Sequence, residues 1–242
     1  MMSRRGLLWL STGLAMLGLA GCETVGVYRF RLTVEVDTPQ GVRSGSSVMQ
    51  VRYGIEPNIN GGGQQADVDL DGEGVLIDLG GGRHVVALLG QALMQSGAFE
   101  RRFLPAEVFY PEVSGPQQIQ ALKASGGNLQ GSAELTGDQI PSMATFQRAT
   151  DPASARVVHG KALRDAGQAP VTIDDFAQVF GPGHGLKRVR LDMVSADTPI
   201  TRRLEATFGW LADPAVMENP GWSRLPELSR LVIVLLRSGR RA

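Results

Sequence analysis

The chain has 242 residues, with 24 basic and 24 acidic side chains and a formal net charge of zero. That balance excludes the usual kind of nucleic-acid binder, which presents a clustered basic surface. The length suits one large domain or two small ones and is ample for a hydrophobic core. The 31 glycines and 13 prolines predict many turns, and therefore short strands rather than long helices.

The first 22 residues have the pattern of an export signal. Arg4 and Arg5 form a positive start, and residues 7–19 form an apolar run diluted by small and polar residues. A spanning helix needs about 20 apolar residues, so this shorter run is typical of a cleaved signal. The run closes on Leu19-Ala20-Gly21-Cys22, which resembles the lipobox of bacterial lipoproteins. The resemblance implies that residues 1–21 are removed and that Cys22, the only cysteine, becomes an acylated N-terminus.

Acylation at Cys22 implies a location. Two or three acyl chains anchor a protein durably, whereas a single chain holds it only marginally. In many Gram-negative bacteria an Asp after the cysteine favours retention in the inner membrane, so Glu23 favours the outer membrane, facing the periplasm. Removing residues 1–21 leaves two more acidic than basic residues. Residues 22–26 are then expected to form a short tether.

Other interpretations of this segment stay open. Ser3-Arg4-Arg5-Gly6-Leu7-Leu8 resembles the twin-arginine export motif, with Leu7 where Phe is commoner. Both the twin-arginine and the general route are therefore compatible with the sequence. A plain signal peptide with an incidental cysteine, or a short anchor helix, is the alternative to the lipoprotein interpretation.

Alternating polarity dominates the first third of the mature chain. In Val27–Asp37 the even positions are apolar and the odd positions from Arg29 onward are polar, which predicts a half-buried strand. Thr38–Gly41 predicts a turn, and Met49–Ile55 alternates again as a hairpin partner. Further short strands are expected at residues 66–70, 75–79 and 84–89, with a turn at Asp71-Gly72.

The remainder mixes strands with short helices. Helices are predicted at Gln117–Ser125, after Pro116, and at Thr172–Phe180. The apolar run Leu231–Leu236 predicts a buried final strand. Other strands are expected at residues 144–147, 155–159 and 189–193. Together these elements predict a β-rich α+β fold, with an antiparallel meander or sandwich-like sheet and a few short helices, in one domain over residues 27–242.

One acidic segment has metal-binding spacing. Asp67, Asp69, Asp71 and Gly72, followed by Asp78 at the twelfth position, match the spacing of an EF-hand calcium loop. Apolar residues alternate with the aspartates, however, and no flanking helices are predicted. A strand with its apolar residues inward and its aspartates outward is the favoured alternative. Calcium is accordingly the one cofactor that the sequence leaves open.

No motif assigns a catalytic residue. Gly181–Lys187 is glycine-rich and basic, but it follows a predicted helix, which favours a helix stop and turn over a phosphate cradle. His84, His159 and His184 fall in no H-E-x-x-H spacing, and no G-x-S-x-G elbow is present. A Ser/His/Asp site assembled from dispersed residues remains an alternative.

Two stretches, Tyr28–Val48 and Phe180–Leu211, resemble a family of uncharacterised bacterial envelope proteins. That resemblance implies no activity and no catalytic residue. The leading prediction is a non-catalytic envelope lipoprotein, held by membrane lipid through Cys22 and acting as a binding or assembly component with an envelope protein partner. The alternatives are an exported hydrolase and, more weakly, a calcium-stabilised module.

Overall fold

Two antiparallel sheets carry most of the chain in the computed structural model. The structure describes residues 23–58, 61, 63–91, 99–114, 116–162, 171–213, 216 and 225–238. Residues 1–21, the predicted signal peptide, and Cys22 lie outside the described residues. A β-rich α+β fold with a sandwich-like pair of antiparallel sheets is confirmed.

The elements follow one another in this order along the described chain. The strands are β1 (Glu23–Asp37), β2 (Arg43–Pro57), β3 (Gln64–Glu73), β4 (Val75–Gly80), β5 (Arg83–Ala87), β6 (Gly90–Gln91), β7 (Phe99–Glu100), β8 (Ser132–Glu134), β9 (Met143–Phe146), β10 (Ala155–Ala162), β11 (Val171–Asp174), β12 (Gly185–Val194) and β13 (Arg237–Ser238). The α-helices are α1 (Leu104–Phe109), α2 (Pro116–Ala124), α3 (Phe176–Phe180), α4 (Leu204–Thr207) and α5 (Glu227–Val234).

The first sheet has the order β13-β3-β2-β1-β12-β8, and the second has the order β11-β10-β9-β5-β4. At the centre of the first sheet the alternating pattern of β1 buries Phe30, Leu32, Val34 and Val36 against the core. Its polar positions point the other way because successive side chains of a strand alternate between the two faces. The predicted strands at β1, β2 and β12 are therefore confirmed.

The two sheets approach each other closely at the start of β2. A Cβ built on Gly45 would lie 2.0 Å from the carbonyl oxygen of Leu76 in β4. The backbones of the two sheets therefore touch at Gly45, and any side chain there would collide with backbone.

A second apolar cluster covers the far side of the second sheet. From the sheet it contains Val86 and Phe146. Onto these pack Phe208 and Leu211, which come just after α4, and Val232 of α5. The ring centroids of Phe146 and Phe208 lie 5.0 Å apart. The second sheet is thus buried on both faces, by the first sheet on one side and by short helices on the other.

Of the predicted tether, residues 23–26 are part of β1 and are not free. β1 begins at Glu23, which pairs with Ile55 of β2, and Gly26 pairs with Tyr53. The Glu23 carboxylate also lies 2.6 Å from the ammonium of Lys123 at the end of α2. The predicted boundary at Val27 is wrong because the strand continues to this point on pairing with β2, although its polarity no longer alternates.

Three local predictions are corrected. Leu231–Leu236 was expected to be a strand, but residues up to Val234 belong to α5, whose apolar face packs on the second cluster. The helix expected from Thr172 begins instead at Phe176, because Val171–Asp174 pairs with β10 as a strand. The turn expected at Asp71-Gly72 is absent, since β3 continues to Glu73.

None of the helices in the described ranges is long and apolar enough to cross a membrane.

Candidate functional site

The strongest candidate site lies where β12 stops and β1 continues. The pairing of β1 with β12 runs from Asp37 opposite Gly185 to Arg29 opposite Val194. On its other side β1 stays paired with β2 as far as Glu23. In the described chain, the part of β1 before Arg29 therefore has a strand neighbour on one side only.

An open cleft of about 540 Å³ occupies the place that β12 leaves. We call it the strand-edge cleft. Its lining comes from three segments, which are residues 27–29 of β1, residues 127–131 after α2, and residues 193–196 at the end of β12. Three polar residues of this lining, Asn128, Gln130 and Ser195, are exposed.

Tyr28 forms one wall of the strand-edge cleft. Its hydroxyl donates a 2.9 Å hydrogen bond to the carbonyl oxygen of Gly127, and its ring lies 5.9 Å from that of Tyr53. Partial burial, with Tyr110 nearby, raises the pKa of Tyr28, so the hydroxyl stays protonated and can donate. Gly26 makes room for this arrangement, because a Cβ there would lie 2.3 Å from the Tyr28 oxygen.

A turn closes the end of the cleft nearest β12. The chain leaves the sheet after Val194 and folds back, with the Thr198 amide donating to the carbonyl oxygen of Ser195 at 3.0 Å. Arg29 holds the turn, since its Nη1 donates to the Thr198 carbonyl oxygen at 2.6 Å while its Nε donates to Gln50. The Arg29 guanidinium is therefore already hydrogen-bonded within the wall of the cleft.

The backbone direction of β1 follows from its neighbours. The Met193 amide donates to Gly131 on the β8 side of β12, so Val194 turns its own backbone groups towards Arg29. Because the direction alternates along a strand, Val27 points its N–H and C=O the same way as Arg29. Val27 lies beyond the last residue of β12, so these two groups face the strand-edge cleft, and its side chain is 49% exposed.

The four predicted calcium ligands are not brought together. Asp67, Asp69 and Asp71 lie on the outer face of β3, while Asp78 lies in β4 of the other sheet. The alternation predicted for a strand is confirmed, with the intervening Val68 and Leu70 buried. Within the described residues no group of three or more metal-ligating side chains forms a site.

Arginines neutralise the aspartates on β3. Arg52 bridges Asp67 and Asp69 at 2.8 and 2.5 Å, and these hydrogen bonds raise the pKa of its guanidinium. Arg202 pairs with Asp71. The Asp78 carboxylate accepts a hydrogen bond from the Gly80 amide at 2.8 Å, which stabilises the turn between β4 and β5.

Calcium is therefore expected to leave the melting temperature of the protein unchanged at millimolar concentration. The acidic side chains of β3 are spread along a straight strand and already paired, whereas calcium requires six or more converging oxygens. A thermal melt with and without calcium, beside a magnesium control, checks this. A calcium-specific rise in melting temperature would instead support the calcium-stabilised alternative.

The three histidines lie apart from the strand-edge cleft. His84 and His159 belong to β5 and β10 of the second sheet, and His184 immediately precedes β12, where its Nδ1 lies 3.0 Å from the Gly181 carbonyl oxygen. Gly181 and Gly183 adopt positive φ values of 100° and 82°, as a turn between α3 and β12 requires. The turn predicted for this glycine-rich segment is confirmed.

The surroundings of His159 perturb its pKa. Burial lowers that pKa, and the opposing charge of Asp174, its partner across the strand pair, offsets only part of the effect. The ring lies 6.3 Å from that of Phe176, and its Nδ1 has no hydrogen-bond partner among the described residues. His159 is thus a partly buried residue of β10.

His159→Gln is expected to flatten the loss of stability in mild acid. A histidine whose pKa is lowered by folding must give up a proton to fold, so it costs nothing well above its unfolded pKa of about 6.5 and costs progressively more below it. Urea unfolding at several pH values between about 7.5 and 5.5 checks this. Equal pH slopes for the variant and the wild type would contradict the burial argument.

The sequence alone did not identify the strand-edge cleft. The sequence predicts Val27 and Tyr28 as strand residues and predicts no site at residues 127–131. The cleft depends on β12 ending opposite Arg29, a pairing across more than 150 positions of the chain that local polarity does not encode. Comparisons with protein-family models, with curated proteins and with solved structures find no match to this chain.

Proposed function

We propose that this protein is an envelope lipoprotein, anchored through acylated Cys22 and acting as a non-catalytic binding or assembly component at the periplasmic face of the membrane. The observation that carries the proposal is the lipobox ending at Cys22, the only cysteine in the chain. The structure adds that a strand of the central sheet begins at the next residue, Glu23.

An anchor at Cys22 would lie next in the chain to the end of β1 that borders the strand-edge cleft. Val27 follows Cys22 by five residues, a distance of roughly 17 Å in an extended strand at ~3.3 Å per residue. Because Glu23–Gly26 are paired with β2, they provide no slack. An acylated Cys22 would therefore hold the cleft close to the lipid headgroups, where it could meet a partner embedded in the same membrane.

The lining of the cleft favours binding over catalysis. The cleft is open, and its lining combines backbone groups with amide and hydroxyl side chains. Arg29 also lines the cleft, but its guanidinium already donates a hydrogen bond to the Thr198 carbonyl oxygen. None of the described residues that line it is a histidine or a carboxylate. General acid–base chemistry is carried most often by those residue types, so the arrangement supports recognition rather than hydrolysis.

Metabolic labelling with a palmitate analogue tests the anchor. The wild-type protein is expected to take up label and to fractionate with membranes, whereas Cys22→Ala is expected to do neither, because the acceptor thiol is gone. Immunoblotting of both proteins controls for expression. An unlabelled wild type, or a Cys22→Ala variant labelled as strongly as wild type, would overturn the lipoprotein assignment.

Affinity purification from detergent-solubilised membranes, followed by mass spectrometry, tests the binding role. A specific envelope protein is expected to co-purify with the lipidated protein but not with an unrelated lipoprotein of similar abundance. Recovery of no specific partner, together with turnover in a hydrolase screen, would favour the exported enzyme instead.

A further inference from the structure

We propose that the strand-edge cleft binds a short extended segment of a partner polypeptide, which adds to β1 at Val27 in the position that β12 vacates. The proposal rests on the binding role proposed above and names the chemistry of its partner. It does not depend on acylation of Cys22.

The backbone of β1 provides the recognition groups. Two independent contacts fix its direction: the Met193 amide donates to Gly131, and the Val48 backbone bonds to Thr201 on the side of β2 away from β1. Both place the N–H and C=O of Val27 on the side of the strand-edge cleft, away from β2. A donor and an acceptor of one residue, both facing an open edge, are what an extended backbone pairs with.

The cleft sets the length of the segment. At one end stands the turn that begins at Ser195, and at the other Gly127 approaches the Val25 carbonyl oxygen, which would lie 3.6 Å from a Cβ at that glycine. From Val25 to Arg29 β1 covers about 14 Å at ~3.4 Å per residue. The occupant would therefore pair over three or four residues, as the end of a chain or a short exposed loop can.

A polypeptide fits this lining better than a lipid chain does. An acyl chain in the strand-edge cleft would leave the Val27 backbone groups and the side chains of Asn128 and Gln130 without partners, and unpaired polar groups are costly to bury. An extended peptide pairs with Val27 and offers further donors and acceptors to those side chains. Neither lysine nor proline, which commonly protect open edges, is among the described residues that line the cleft.

Selection from a phage-displayed library of random dodecapeptides tests the proposal, using the full chain purified in detergent. Val27→Pro removes the amide N–H that faces the cleft and leaves the strand pairing with β2 in place, because that pairing does not use this N–H. Val27→Thr is the matched control, since it keeps the amide and changes the same side chain. Selected peptides are expected to bind Val27→Pro about tenfold more weakly than wild type and to bind Val27→Thr nearly as well as wild type.

A second measurement keeps the test valid if Val27→Pro folds poorly by circular dichroism. Methylating single backbone nitrogens of a selected peptide should abolish binding to the wild-type protein at alternate positions, because only every second amide faces β1. Failure to select any peptide, equal binding to Val27→Pro and wild type, or insensitivity to methylation would each overturn the proposal. Peptide binding without palmitate labelling would overturn the proposed lipid anchor but not the peptide-binding site. Palmitate labelling without peptide binding would overturn the peptide-binding site but not the anchor.

Discussion

Glu73→Ala is expected to lower the free energy of unfolding by about 3–5 kcal/mol, the cost of removing one partner from a buried ionic group. The Glu73 side chain is 1% exposed. One carboxylate oxygen accepts hydrogen bonds from the amides of Arg203 and Leu204, at the start of α4, and the other lies 3.8 Å from the Nε of Arg237. Without the carboxylate, two backbone donors lose their acceptor and the largely buried guanidinium of Arg237 loses a nearby opposite charge.

Glu205→Ala is the matched control, because Glu205 contacts the same Arg237 at 3.0 Å from the solvent side. Its side chain is 53% exposed, and exposed ion pairs contribute only about 0–1 kcal/mol. Urea unfolding followed by circular dichroism compares both variants with the wild type. Similar losses for the two glutamates would contradict the role assigned to Glu73 in holding α4 and β13 against β3.

Gly45→Ala is expected to cost about 2–3 kcal/mol, the upper range for forcing extra volume into packed structure. The new methyl carbon would meet the Leu76 carbonyl oxygen at 2.0 Å and its carbonyl carbon at 2.9 Å. Both atoms belong to the backbone of β4, which is paired with β5. Neither can move aside without separating the two sheets.

Gly185→Ala separates this clash from the general effect of replacing a strand glycine. Gly185 begins β12, and a Cβ there would have no heavy atom within 4 Å. Alanine at that position is expected to be neutral or slightly stabilising, because glycine is the more flexible residue in the unfolded chain. Thermal melts of both variants check the contrast. A Gly45→Ala protein as stable as Gly185→Ala would show that the sheets are less closely packed at Leu76.

Local patterning was sufficient to predict the central strands of the first sheet. Alternating polarity in β1, β2 and β12 predicted strands that the structure confirms, because each has one face in the core and one in solvent. The same logic predicted Asp67, Asp69 and Asp71 on the outer face of a strand. Their arginine partners are Arg52, in the neighbouring strand β2, and Arg202, in a loop distant in sequence. Local sequence patterns do not predict such pairs.

Patterning was insufficient where tertiary packing decides the outcome. Leu231–Leu236 is a continuous apolar run, and such a run suits a buried strand and a buried helix equally. The second cluster resolves the ambiguity in favour of α5, because that cluster covers a sheet face that would otherwise be exposed. The strand-edge cleft likewise depends on tertiary structure, since it exists only because two strands of different length, β1 and β12, are paired.

The position of β1 also has a consequence for how the sheet is completed as the chain emerges. β1 is the first described segment, yet it lies in the interior of a six-stranded sheet. β2 follows it directly, but β12 is synthesised only after the whole second sheet. Half of the hydrogen-bonding capacity of β1 must therefore wait for a partner, during which an open edge is exposed to other chains. Arrival of β12 ends that exposure everywhere except before Arg29, so the strand-edge cleft is the part of this early edge that folding leaves uncovered.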